Sequence, residues 1–311
     1  MGLGRRALLL GAGGLLAGGA AGCSGTAGTG AAAVTRSSGP LPTTTPWRPD
    51  RDDVDPAVKA RAVEVVEAIG AWPAGQGGVA AAKRRVAALG AAPSLVDEAG
   101  PLLPAADEAV LQVIDAQYGG ILADSASVLV VCRQWTPEHR TGTTVDVRLS
   151  RARPRWEVTA LHPARPGAAV PALPAAAREV LSAPRIVLPP AAAADIRSGH
   201  VHESVLRALL RLAGTYRMYV SVIRSGHPMD VFGTDRPSDH PRGRAFDVWQ
   251  IDGHAVVDPA TSRRLVETFM RDAAAAGSYN VGGPVRLSGG APGQFFSDAT
   301  HHDHVHAGFT A

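Results

Sequence analysis

An α+β fold in two parts is predicted for this 311-residue chain. Three observations carry it. Residues 50–165 open with helical periodicity and then pass to four β-rich runs. Residues 174–311 mix amphipathic helices with short apolar strands. Between them the proline- and alanine-rich passage from Pro163 to Pro174, with residues 166–173 as the linker proper, follows neither period. The second part also holds nine of the eleven histidines, so the chemistry is expected there.

The first residues read as an address. Arg5 and Arg6 precede an apolar run from Ala7 to Gly22 that is short and rich in small residues, a poor bilayer span. It ends in Ala20-Ala21-Gly22-Cys23, which resembles a bacterial lipobox, so residues 1–23 are expected to be a lipoprotein signal with Cys23 lipidated. That implies an anchor on the extracytoplasmic side of the cell membrane; simple secretion is the alternative. The paired arginines followed by Leu8 and Leu9 resemble a twin-arginine export signal. Residues 24–49, mostly Gly, Ala, Ser, Thr and Pro, cannot bury enough apolar surface to offset chain entropy and read as a disordered tether.

In the first part, Asp52, Asp53 and Asp55 before Pro56 suit a helix start, and the helix is predicted to run to about Ala71. Val58, Ala62, Val65, Val66 and Ile69 form its apolar face. A second helix is predicted over Gly78 to Leu89. Strands follow at Leu111 to Ile114, Val128 to Trp135, Thr143 to Leu149 and Trp156 to Leu161. Cys132 lies in an apolar run and is expected to pack as a small hydrophobe; with Cys23 lipidated, no disulfide framework remains. His139 and His162 are isolated and read as surface or loop residues. The closing runs, Thr143 to Leu149 and Arg155 to Leu161, resemble the final hairpin of a nuclear-transport-factor-2-like cone. Such cones serve as enzymes, binding modules or spacers, so this resemblance leaves function open.

In the second part, a short helix is predicted over Ala175 to Ser182 and an extended segment over Ile186 to Pro190. His202 to Tyr216 has the apolar spacing of an amphipathic helix, Met218 to Ile223 reads as a strand, and Thr261 to Ala275 as a helix. The formal charge of +3 and the lack of a basic stripe interleaved with aromatics argue against a nucleic-acid partner. There is no G-x-S-x-G elbow, P-loop or cysteine cluster, which removes support for serine hydrolase, nucleotide and iron–sulfur readings.

The densest chemistry lies in two segments. Ser238-Asp239-His240-Pro241-Arg242-Gly243-Arg244-Ala245-Phe246-Asp247 offers an imidazole at a loop end and a carboxylate on a predicted strand. His301-His302-Asp303-His304-Val305-His306 offers imidazoles two apart, which share one side of a strand. Neutral imidazoles, an anionic ligand and a spare carboxylate are what a catalytic zinc site needs.

Together the segments are similar to the zinc D-alanyl-D-alanine peptidases and their relatives, the LAS-type peptidases, over roughly residues 205–311. The resemblance implies a peptidase domain with a small antiparallel sheet, Zn2+ on His240, Asp247 and His306, and Asp303 as the base that takes a proton from the attacking water. It assigns His304 and His301 to substrate or the developing oxyanion and Arg224 to substrate, and Ser238 is expected to hydrogen-bond either His240 or substrate. Many members carry Glu where this chain has Asp303, a reach longer by one methylene. His227, His254 and His302 receive no role. The implied function is hydrolysis of peptide bonds in peptidoglycan stems or crosslinks. Its rivals are a zinc-containing wall-binding or protein-interaction module that does not cut, and a purely structural zinc.

Overall fold

Asp55 caps the first helix, accepting the Ala57 amide, and Pro56 fills the first helical position, so α1 runs over Pro56–Gly70. Its face of Val58, Ala62, Val65, Val66 and Ile69 is fully buried. The computed structural model describes residues 40–310, so Cys23 and the export signals lie outside the described residues. Among the described residues no helix is long and apolar enough to cross a membrane.

α2 (Val79–Ala88) and a 3-10 turn at Pro93–Glu98 follow. Four strands then form an antiparallel meander in the order β1 (Val110–Ile121), β2 (Ser125–Trp135), β3 (Arg140–Ser150) and β4 (Glu157–Pro163). α1 packs on its inner face, and the two share one hydrophobic core that includes Cys132. β1 is longer than the apolar run Leu111 to Ile114 suggests. Its in–out alternation stops at Asp115, and every residue from there to Gly120 is buried. Register shifts at Val113/Asp115 and Tyr118/Gly120 mark bulges that bend this strand.

Residues 40–49 carry no regular secondary structure, yet they depart from the free tether expected of them. The Thr45 backbone exchanges two hydrogen bonds with the Gln112 side chain, each 2.9 Å, and Trp47 packs against the core. A single tryptophan gives this otherwise polar stretch apolar area to bury.

The second half contains α3 (Ala175–Ser182), β5 (Ile186–Val187), α4 (Pro190–Arg197), α5 (Glu203–Ala213), β6 (Met218–Val222), β7 (Ala245–Ile251) and β8 (His254–Ala255). It continues through α6 (Arg263–Ala275), β9 (Asn280–Gly282), β10 (Phe295–Phe296), a 3-10 turn at Thr300–His302 and β11 (Val305–Gly308). The extended reading holds through Pro189 and fails only at Pro190, which occupies the first helical turn of α4, where its missing N–H costs nothing. The sheet is also not the small antiparallel one expected. It runs β10-β9-β11-β7-β6-β5, with β8 pairing β7, and its β5/β6 and β9/β10 pairs are parallel. The β5-to-β6 connection carries α4 and α5, and a crossover of that length permits parallel pairing.

Two hydrophobic cores result, one drawn from Val58 to Leu161 and the other from Ala177 to Phe309. The described residues nevertheless belong to one compact unit. The bulged end of β1 lies where the two cores meet. Gly120 packs so tightly against Phe232 that a Cβ there would strike the ring.

Candidate metal centre

β7 lies between β6 and β11, and His306 of β11 stands opposite Asp247 of β7 in register. Cross-strand partners have Cβ atoms about 5 Å apart, so an imidazole and a carboxylate meet across this pair without strain. His306 Nδ1 lies 2.9 Å from Asp247 Oδ1. The third group, His240, comes from the loop before β7. Gly243, at φ +69°, sits against the His200 carbonyl where a side chain would clash, and its amide closes a turn onto the His240 carbonyl at 2.8 Å. His240 Nε2 reaches Asp247 Oδ1 at 3.1 Å and His306 Nδ1 at 3.1 Å.

Three donor atoms thus stand 2.9–3.1 Å apart in a buried site. Atoms bound at about 2.0–2.1 Å to one tetrahedral ion would be about 3.3 Å apart, so a small contraction separates this triangle from a ligand set. The protonation pattern fits too. His240 Nδ1 bonds the Ile223 carbonyl at 2.8 Å, which puts the proton there and leaves Nε2 a lone pair. His306 is lowered to about 4: burial, with His240 and His301 adding to it, outweighs the opposing pull of Asp247, so its ring is neutral. Burial opposes ionisation of Asp247, but His240, His304 and His306 outweigh it and hold the carboxyl well below its usual range.

His227 joins them. Its ring stacks on His240 with centroids 4.1 Å apart, and its Nδ1 bonds the Pro228 carbonyl at 3.0 Å. Ligand atoms of His227, His240 and Asp247 lie within 4.8 Å of one another, so this cluster could hold a metal ion. His306 approaches His240 and Asp247 more closely than that limit. Burial, followed by His240, lowers His227 well below its ordinary value, leaving it neutral as well.

Asp303 and His304 sit beside this triangle. His304 Nδ1 bonds Asp303 Oδ1 at 2.6 Å, and His304 Nε2 lies 3.7 Å from Asp247 Oδ2. The other Asp303 oxygen faces away. It accepts the Tyr118 amide at 2.9 Å and pairs with Lys59 Nζ at 2.7 Å. Burial pushes Asp303 up, but Lys59 and His304 prevail and lower it to about 2. Lys59 is itself buried, paired with Asp53 as well, and raised above its ordinary value because these carboxylates outweigh desolvation. Asp115, two residues before Gln117 on β1, is raised to about 7 by burial, and its Oδ2 has no hydrogen-bond partner.

A cleft of about 850 Å³ opens over the triangle. Ser238 lines it, its Oγ accepting the His240 amide at 3.4 Å. His301 lines it too, held by Asp298 at 2.7 Å and edge-on to Phe296. Arg224 is absent from this cleft. Its guanidinium bonds the Pro166 carbonyl at 3.3 Å, stands 3.8 Å from Asp195, and faces a separate cavity of about 930 Å³. The arginine expected to grip substrate instead joins the linker passage to α4. His302, given no role, bonds the Asp52 carbonyl at 2.8 Å.

The residues missed from sequence are His227, which was given no role, and Gln117, Tyr118 and Lys59. Gln117 Nε2 donates to Asp247 Oδ2 at 2.5 Å, and Ser221 Oγ donates to Gln117 Oε1. Two signals existed. Asp115-x-Gln117 interrupts a strand between buried neighbours, and Lys59, one of two lysines, lies three, four and seven residues before the core positions Ala62, Val63 and Val66. Searches against family models, curated proteins and solved structures find no match to this chain.

Proposed function

We propose that the chain is an exported zinc peptidase, anchored through a lipid on Cys23, that hydrolyses peptide bonds in peptidoglycan stems or crosslinks. One observation carries this reading: His240 Nε2, Asp247 Oδ1 and His306 Nδ1 converge at 2.9–3.1 Å under an open cleft, with a histidine–carboxylate pair beside them. The donor set, two neutral imidazoles and one carboxylate, is that of catalytic zinc sites. Bound there, Zn2+ would supply a Lewis acid for the scissile carbonyl and would lower the pKa of a water to about 7.

The chain's own residues then divide the proton work. Asp303 holds the Nδ1–H of His304, so Nε2 is the basic nitrogen, and it lines the cleft on the Asp247 side. His304 takes the proton from the attacking water and returns it to the leaving amine. Asp303, with one oxygen on His304 and the other on Lys59 and the Tyr118 amide, fixes the tautomer and stabilises the imidazolium. The base role expected of Asp303 therefore passes to His304. His227, neutral and stacked on His240, lines the same cleft, as do His301 and Ser238, which on this reading face the peptide.

The test is zinc-loaded protein incubated with purified sacculi, with released fragments identified by mass. Cleaved stem or crosslink peptides, absent for His304→Ala, support the reading. The rival is a zinc-containing wall-binding module without hydrolysis, which follows if the base must be Asp303 itself, since both of its oxygens are already engaged. Full zinc occupancy with intact sacculi, and binding of muropeptides without cleavage, would establish that rival.

A further inference from the structure

We propose that Gln117, carried by the amino-terminal meander, is a positioning residue of the metal centre, so that zinc affinity in the carboxy-terminal half depends on a side chain from the other half. The inference rests on the zinc reading above.

The geometry points to Gln117 for three reasons. First, its amide N–H takes Asp247 Oδ2 at 2.5 Å and leaves Oδ1 to face the nitrogens of His240 and His306. A carboxylate turns freely about its last torsion, which is broad and two-fold, so a fixed donor on one oxygen decides which oxygen faces the ion. Second, the amide's orientation is itself determined. Ionised Asp247 can only accept, and the Ser221 hydroxyl donates to Oε1, so Nε2 must face the carboxylate. Ser221 sits on β6, next to β7, so the relay Ser221–Gln117–Asp247 spans both halves.

Third, the strand that carries Gln117 is pinned just beyond it, at Tyr118, Gly120 and Ile121. The Tyr118 amide and Lys59 hold Asp303, the Ile121 amide donates to Thr300 Oγ1 at 3.2 Å, and Gly120 abuts Phe232. Gln117 is 1% exposed, so water does not compete for its bonds. A spacer domain would have no reason to place a buried amide on the one carboxylate of a metal cluster.

The test compares Zn2+ affinity, by competition with a chromophoric chelator, in wild type, Gln117→Met and Ser221→Ala. Methionine keeps the length and removes the donor. Outer partners of metal ligands are worth about 10–100-fold in affinity, and Gln117→Met is expected to weaken zinc binding by that factor. The thermal midpoint and far-UV spectrum of the metal-free protein should stay close to wild type. Ser221→Ala should move affinity in the same direction by less, and it carries the readout if Gln117→Met fails to fold. Wild-type affinity in a folded Gln117→Met and in Ser221→Ala would overturn the proposal and leave the zinc reading standing. A wild-type protein that binds no zinc would remove both.

Discussion

A carboxylate with two imidazole nitrogens on one oxygen and an amide on the other has almost no freedom left, and this is the condition of Asp247. The same holds for Asp303, which is why its partners matter more than its reach. Replacing His304 by alanine removes the proposed proton carrier without touching the triangle. Activity should fall about 10²–10⁴-fold. Zinc content, measured on the same sample, should be unchanged. Lys59→Met removes the one cation between the buried Asp53 and Asp303. Breaking a buried pair on one side costs about 3–5 kcal/mol, so urea titration should show a loss of that order; a loss under 1 kcal/mol would mean these carboxylates find other partners. Cys132, buried and raised to about 12, should resist thiol reagents at pH 8 until the protein is unfolded.

Among the elements, α1 and α5 answer most directly to their sequences. Asp55 serves α1 twice, accepting the Ala57 amide with one oxygen and the Trp156 indole at 3.1 Å with the other. Asp55→Ala should therefore cost about 0.5–2 kcal/mol for the cap, read as a lower thermal midpoint. Leu209→Ala, at a fully buried position of α5, should cost about 2–5 kcal/mol. These helices were legible because a 3.6-residue apolar period and a capping aspartate are local signals. The elements that were not legible depend on distant partners. β9 and β10 are short; they pair with each other and β9 also with β11, so no local alternation marks them. The far half of β1 was missed because burial on both faces removes the in–out pattern, and what covers its second face is the other half of the chain.

For the whole molecule, the sequence, through the peptidase resemblance of two short segments, pointed to the cluster of His240, Asp247 and His306, whose donor atoms the fold brings to within 2.9–3.1 Å of one another. It could not place Gln117, Lys59 or Tyr118, which join the cluster only through folding, nor move Arg224 out of it. The carboxy-terminal half buries one apolar cluster drawn from Ala177 to Phe309, and under the proposed catalytic reading an ion is not what closes it. Chelation should abolish cleavage while the far-UV spectrum is retained, whereas a structural zinc would take the fold with it. The central claim is that His240, Asp247 and His306 hold one zinc ion, and titration calorimetry on the metal-free protein tests it most directly. One equivalent of Zn2+ per chain, lost in both Asp247→Ala and His306→Ala, is the predicted result; no binding, or equal binding in these variants, would contradict the account.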